Sequence, residues 1–478
     1  PEVVVTSTPM LGDDPLRVQT TTTTQGVTGS ERSRLDTNGN VLATTDVHGT
    51  RTTREWDPAT GKLTRIVETT AKGETRTIAY TYASNGEVAT VAVNGATMLT
   101  NEYAADGSLA RMTLGNGAVR EIALDANNNG RLVKTTFPDG TVISETSEHS
   151  PTGRLLSRTL SGPTGSATFT YTYNVDGRLV DTRLTGTIPT KATAWHSEYT
   201  GAEGKNGNRA SKSWTMADGT VATTDFAYGP DNRLLSASGS IKGSVAYDEA
   251  GRATTVGGVS LAYDAAGHLL SAAQGNRTYT FGEQGTRTTL TQTENGATTT
   301  VTAISSGESL VLGADGMINA QVMAIAPGVT LLLDQAGAPL RWVYDDTLGN
   351  STWSSKGNAA PTRTHLYAPG GEPISVARTS APVTPVDLIV DSLGWAHGRG
   401  AATLRLATPL VVIGALVRAT PGGRWLQPDP DVNASFNAYE YAVGDPINIA
   451  DPTGNAPWGA ILGSIVAVVA GVAIGALT

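Results

Sequence analysis

Polar and apolar residues alternate with period two in many short runs of this chain. In Thr168-Phe169-Thr170-Tyr171-Thr172-Tyr173 the aromatic side chains fall on one face and the threonines on the other, which predicts a half-buried β-strand. The run stops at Asn174-Val175-Asp176-Gly177, and Arg178-Leu179 opens the next strand. Asp and Asn ahead of the glycine can accept bonds from turn amides, and glycine supplies the positive φ of a tight reversal, so the unit reads as a β-hairpin. The unit recurs in Leu35–Val41, Trp56–Leu63, Tyr82–Val88, Tyr103–Leu109, Tyr247–Arg252 and Tyr263–Leu269, with weaker copies at Pro151–Leu155 and Tyr228–Leu234. A spacing of roughly twenty to twenty-five residues lies in the range of structural repeats. One hairpin cannot bury its apolar face alone, so neighbours must pair edge to edge, and a long twisted sheet of this kind spirals. The prediction is an all-β chain whose spiralling antiparallel β-hairpin repeats run from about residue 31 to 384.

Three stretches depart from that pattern. Residues 1–30 are Thr-rich, with an unbroken run from Thr20 to Thr24, and predict an extended segment. Residues 376–387 are rich in Pro, Thr and Ser and read as a loop. Residues 456–478 carry no charged side chain, and from Trp458 onward they are long enough for one membrane-spanning helix. The Gly459/Gly463 and Gly471/Gly475 spacings would let such a helix pack closely. A C-terminal apolar helix is therefore expected, with a membrane as its partner over 458–477.

Composition narrows the function. Apolar residues make up 39% and charged residues only 16% of the 478, while glycine reaches 55, a mixture suited to short strands and turns. The net charge of -9 offers no basic footprint, so no nucleic acid partner is expected. There is no cysteine, which excludes disulfides and thiolate metal sites. The opening residues lack the basic and apolar regions of a secretory signal. Asp125-Ala126-Asn127-Asn128-Asn129-Gly130 looks like the first half of a calcium loop, but Thr136 stands where a bidentate Glu is needed. The six histidines, His48, His149, His196, His268, His365 and His397, show no ligand spacing. No phosphate-binding, dinucleotide or nucleophile-elbow motif is present, so neither metal nor cofactor is expected.

The most specific signal lies near the end. Gly423-Arg424-Trp425-Leu426-Gln427-Pro428-Asp429-Pro430 is followed by Asn437-Ala438-Tyr439-Glu440-Tyr441, Asp445-Pro446-Ile447-Asn448 and Asp451-Pro452-Thr453-Gly454. This series resembles the end of the Rhs/YD-repeat core, and Tyr247-Asp248 and Tyr263-Asp264 carry the Tyr-Asp pair of that family's repeats. Tyr344–Asn350 and Tyr367–Pro373 are similar to two further signatures of its late part. The resemblance implies that the repeats wind into a hollow shell, or cocoon, closed by a plug at 385–455. It also implies that residues 456–478 lead to a toxin payload, and that a delivery apparatus and an immunity protein are partners. The setting implied is a bacterial protein that is secreted or surface-associated; a teneurin-like adhesive scaffold is the alternative, which requires exposed aromatic patches.

Self-cleavage is the one reaction the resemblance suggests. Two carboxyl groups would share a proton and cut after Gly454, at the bond to Asn455, with Asp429 as one of them and Arg424 close by. The family's other Asp aligns with Ala419, its Arg with Leu416, and its cleavage-site Leu with Asn455. Trp425, Pro428, Pro430, Asn437, Tyr439, Tyr441, Pro446, Asn448, Asp451 and Pro452 are expected to hold the plug together.

Overall fold

The computed structural model describes residues 3–9, 17–24, 27–45, 49–125, 130–239, 243–265, 267–282, 289–305, 309–312, 317–375, 393–396, 401–406, 408–413, 416–419, 422–430 and 437–451. Among these the chain is almost wholly antiparallel β. Twenty-one strands between Val3 and Ser244 form one sheet, thirteen between Ala246 and Arg363 a second, and four between Ala401 and Trp425 a third. Within each sheet every strand pairs antiparallel with the next, as alternating hairpins demand. The Thr-rich start forms strands. Val3–Pro9, Arg17–Thr24 and Val27–Leu35 pair with one another and join the first sheet, and the expected boundary at residue 31 falls inside the third of these strands. The predicted C-terminal helix and the 376–387 loop lie outside the described residues. Among the described residues no helix is long and apolar enough to cross a membrane.

The repeat turns follow one plan. Asp36 N–H donates to Asn40 O, Gly39 N–H donates back to Asp36 O, and Asp36 Oδ1 accepts from the Asn38 and Asn40 amides at 2.8 Å each. The same side-chain bond recurs at Asp248, Asp264 and Asp346, which explains the Asp of the repeat. A register shift then sets each aromatic opposite the first apolar residue of the return strand, as in Tyr82 and Val88 or Tyr173 and Leu179. The aromatic polar atom reaches back one repeat. Trp56 Nε1 donates to Val41 O (3.0 Å), Tyr82 Oη to Leu63 O (2.6 Å), Tyr103 Oη to Val88 O (2.8 Å), and Tyr247 Oη to Leu234 O (3.0 Å). The basic residue ending one turn covers the next repeat's ring, as Lys62 does Tyr82 and Arg233 does Tyr247. Tyr82, Tyr173 and Tyr247 are thereby fastened to the preceding repeat by both a hydrogen bond and a cation–ring contact, beyond the sheet ladder itself.

The first sheet buries one face only: Arg51–Trp56 and Thr75–Tyr82 alternate buried with part-exposed or exposed positions. What covers that face is a set of late strands, Ile318–Ala326, Val329–Leu333, Pro339–Asp345 and Ser351–Lys356. Val329–Leu333, Trp342–Asp345 and Ser351–Ser355 are buried on both sides. Leu331, Leu333, Trp342 and Tyr344 pack with Val93 and Met112 of the first sheet. Their neighbours Leu332 and Val343 pack with Leu261, Leu410 and Val417 of the second and third sheets. Successive residues serving two cores explain why Leu331–Leu333 is a continuous apolar run rather than an alternating one. Burying each such side chain contributes about 2 kcal/mol.

Candidate functional site

The closing segment begins as a short hairpin. Leu416–Ala419 pairs with Arg424–Trp425, and Gly423 takes the left-handed φ of +65° that the reversal needs. Beyond it the chain leaves regular structure and spends its polar groups on turns of the wall.

Apart from the bond between Arg424 and Asn437, each stapling contact joins residues far apart in sequence. Arg424 donates to Asn208 Oδ1 (2.7 Å), Asn232 O (2.8 Å) and Asn437 Oδ1 (3.4 Å), with its guanidinium 4.6 Å from the Tyr228 ring centre. Gln427 Nε2 donates to Gly267 O (3.0 Å), and Asn437 Nδ2 donates to Asn206 O (2.8 Å). Tyr439 Oη donates to Gly251 O (2.8 Å) and accepts from Arg233 Nε (3.2 Å). A side chain at Gly251, whose φ is +81°, would begin 2.7 Å from that hydroxyl, so this turn is fitted to Tyr439. Glu440 pairs with Arg178 at 3.3 Å. Asn448 accepts from the Leu155 amide (2.8 Å) and donates to Tyr173 Oη (2.9 Å). Charge-assisted bonds such as those of Arg424 are the stronger members of the set.

The aromatic residues form the centre. Trp425 meets Tyr441 edge to face at 5.1 Å, and Trp395 meets the same ring at 5.9 Å. Trp425 N–H donates to Tyr439 O, closing this segment on itself. Pro446 lines a small gap beside Tyr367 and Trp395, Pro428 is half-buried and Pro430 is exposed. Asp445 is buried, which pushes its carboxyl up, while bonds from Asn448 and the cation of Arg154 at 3.8 Å pull the other way. Asp451 is buried as well.

The residues proposed for cleavage fall as follows. Asp429 is buried, and its amide donates to Ala438 O. Ala419 is buried opposite Arg424 in the hairpin and carries no carboxyl group. Arg424 bonds amides and a carbonyl. Gly454, Asn455 and Pro452 lie outside the described residues. Among the described residues no His/Asp/Glu group is arranged to hold a metal. Among the described residues the large exposed apolar side chains are Val142, Leu156, Val175, Val221 and Leu235, none of them aromatic.

One ionic cluster had no counterpart in the sequence reading. Arg158 donates to Asp346 Oδ2 (2.7 Å), Glu145 Oε1 (3.3 Å) and Tyr171 Oη (2.8 Å), all buried between wall and central strands. Burial raises Glu145, and it pushes the neighbouring Asp345 up to about 7 despite a bond from Ser351. The signal available was Asp345-Asp346 ending an apolar strand. Without knowing that Glu145 and Arg158 arrive from the wall, the pair reads only as a turn.

No family model matches the sequence, and no curated protein does. Among solved structures the chain is similar to the crystal structure of TcdB2-TccC3-Cdc42, with a TM-score of 0.62 and 18% identity over 97% of this chain and 24% of that one. It is also similar to the Photorhabdus luminescens Tc holotoxin pore, with a TM-score of 0.63 and 18% identity over 93% of this chain and 23% of that one. The crystal structure of TcdB2-TccC3 gives 0.62 and 18% over 92% and 23%. The chain thus spans about a quarter of the length of the chains it matches. At this identity the likeness is one of fold: the chain has the antiparallel β-shell fold found in these Tc toxin complexes, the fold that the Rhs/YD-repeat resemblance implied.

Proposed function

We propose that this chain is the closing part of a YD-repeat shell that holds a toxin payload carried C-terminal to the closing segment. The observation that supports the reading most is the stapling of the wall turns at 155, 173, 206–208, 232, 251 and 267 by side chains of one segment. Such a segment fixes the ends of successive hairpins against each other and resists their splaying. The similar complexes join TccC3 to a TcdB2 partner. By the same reading the present chain works beside further wall, is exported or surface-associated, and meets a delivery apparatus and an immunity protein.

The test is a small monomeric hydrolase joined after Thr478. It should stay silent and protease-resistant in the folded chain and regain activity once the wall is denatured and the enzyme refolds. Full activity and digestion at the rate of the free hydrolase would contradict the proposal.

A further inference from the structure

Beside the stapled turns, two buried cations and a buried carboxylate meet a third, half-buried cation. Lys212 comes from the wall strand Ser211–Met216, Arg209 from the loop before it, Arg418 from Leu416–Ala419, and Glu372 from the loop after Tyr367. Lys212 Nζ donates to Glu372 Oε1, which balances one charge. Arg209 and Arg418 have no such partner: among the described residues neither is paired with a carboxylate. Arg418 is 1% exposed, donates to Gly370 O (2.9 Å) and lies between the rings of Trp395 and Tyr441. Arg209 donates to Gly422 O (2.9 Å) and Tyr199 Oη (3.2 Å). The Nε of each guanidinium, and Glu372 Oε2, have no hydrogen-bond partner.

The two guanidinium groups converge. Arg209 Nη1 and Arg418 Nη2 each lie 3.3 Å from the point where a side chain at Gly423 would begin. Next to them is a cavity of about 30 Å³ lined by Arg209, Lys212, Arg418, Thr182, Ser197 and Tyr441. It has room for a water or a monatomic ion. Glu372 is the one carboxylate acting on all three cations, which leaves an excess of positive charge in this region, and burying such an excess is unfavourable. Burial and the neighbouring cations lower Lys212, and burial takes Arg418 down to about 10. Hydroxyl groups at Thr182 and Ser197 add further donors to the lining.

The geometry points to a buried site for one halide-sized monovalent anion, chloride in solution, held by Arg209, Lys212 and Arg418. Bound there, it joins the wall at 209–212 to the closing hairpin and adds an ionic lock to the stapling bonds.

The experiment compares melting of the whole chain in sodium chloride, sodium bromide and sodium gluconate at equal ionic strength. Chloride and bromide should raise the melting temperature by about 1–2 °C over gluconate, saturating as the site fills. Arg418→Gln should lose that difference, while Arg65→Gln, in an exposed pair with Glu55, should keep it. Crystals grown in bromide should show an anomalous peak inside the cavity, which decides the matter on the unaltered chain if Arg418→Gln does not fold. Equal melting in all three salts, or a cavity holding only water, would overturn the proposal.

Discussion

The wall and the closing segment reach stability by opposite routes. In the wall, each repeat carries its own turn chemistry and its repeat aromatic leans on the repeat before it, as Tyr82 leans on Leu63 and Lys62. Its strands bury one face, so any single position contributes modestly. The closing segment has little regular structure, and Arg424, Tyr439 and Asn448 in it are bonded to residues roughly two to three hundred positions away. Local repetition builds the wall; long-range specificity closes it. The same bond chemistry therefore carries different weight in the two regions. A lost wall bond exposes one carbonyl near water, whereas a lost closing bond strands several buried groups at once.

That contrast can be broken at a graded series of sites. Arg424→Ala removes three hydrogen bonds and a ring contact and leaves Asn208 and Asn437 short of a buried partner, so a loss of about 3–5 kcal/mol is expected in urea unfolding. Asp345 supplies a pH test. Its carboxyl rises from an ordinary 3.8 to about 7, so the folded state prefers the protonated form. The stability it contributes is complete below about pH 4 and is lost as pH climbs through 7, on the order of 4 kcal/mol in all. Asp345→Asn should flatten the stability profile between pH 4 and 8, and an unchanged slope would refute that assignment. Tyr173→Phe, which touches wall and closing segment through Leu155 O and Asn448, should cost about 2 kcal/mol. Tyr82→Phe, confined to the wall, should cost about 1 kcal/mol. If Tyr82→Phe proved as damaging as Arg424→Ala, the division between the two regions would fail. The smallest effect is expected at Asp429: with Ala419 opposite Arg424, intact mass spectrometry should find the full 478-residue mass in both the chain and Asp429→Asn.

Much of the wall is legible in the sequence because its determinants are local. Period-two alternation at 168–173, and the Asp and Gly of each turn, specify the hairpins wherever they occur. The Tyr of the repeat is visible too, but its partner is not, since the bond to the previous repeat's carbonyl depends on how two hairpins pair. Asn437, Tyr439 and Asn448 stand out through their family-like spacing. Nothing near them in sequence names Asn206, Gly251 or Leu155 as the groups they hold. The Thr-rich opening lacks apolar alternation, yet threonine's β-branched stiffness suits it to a strand once a neighbouring edge is present, as the pairing of Val27–Leu35 with Val41–Thr45 provides.

Because the chain contains no cysteine, one introduced at Thr478 gives a unique chemical label C-terminal in sequence to the closing segment. The decisive measurement is the rate at which a bulky polyethylene-glycol maleimide modifies that thiol in the folded chain, with and without Arg424→Ala. A closed shell predicts labelling slowed at least tenfold relative to the denatured chain, with Arg424→Ala restoring much of the rate. Labelling as fast as in the denatured chain, in both forms, would contradict enclosure.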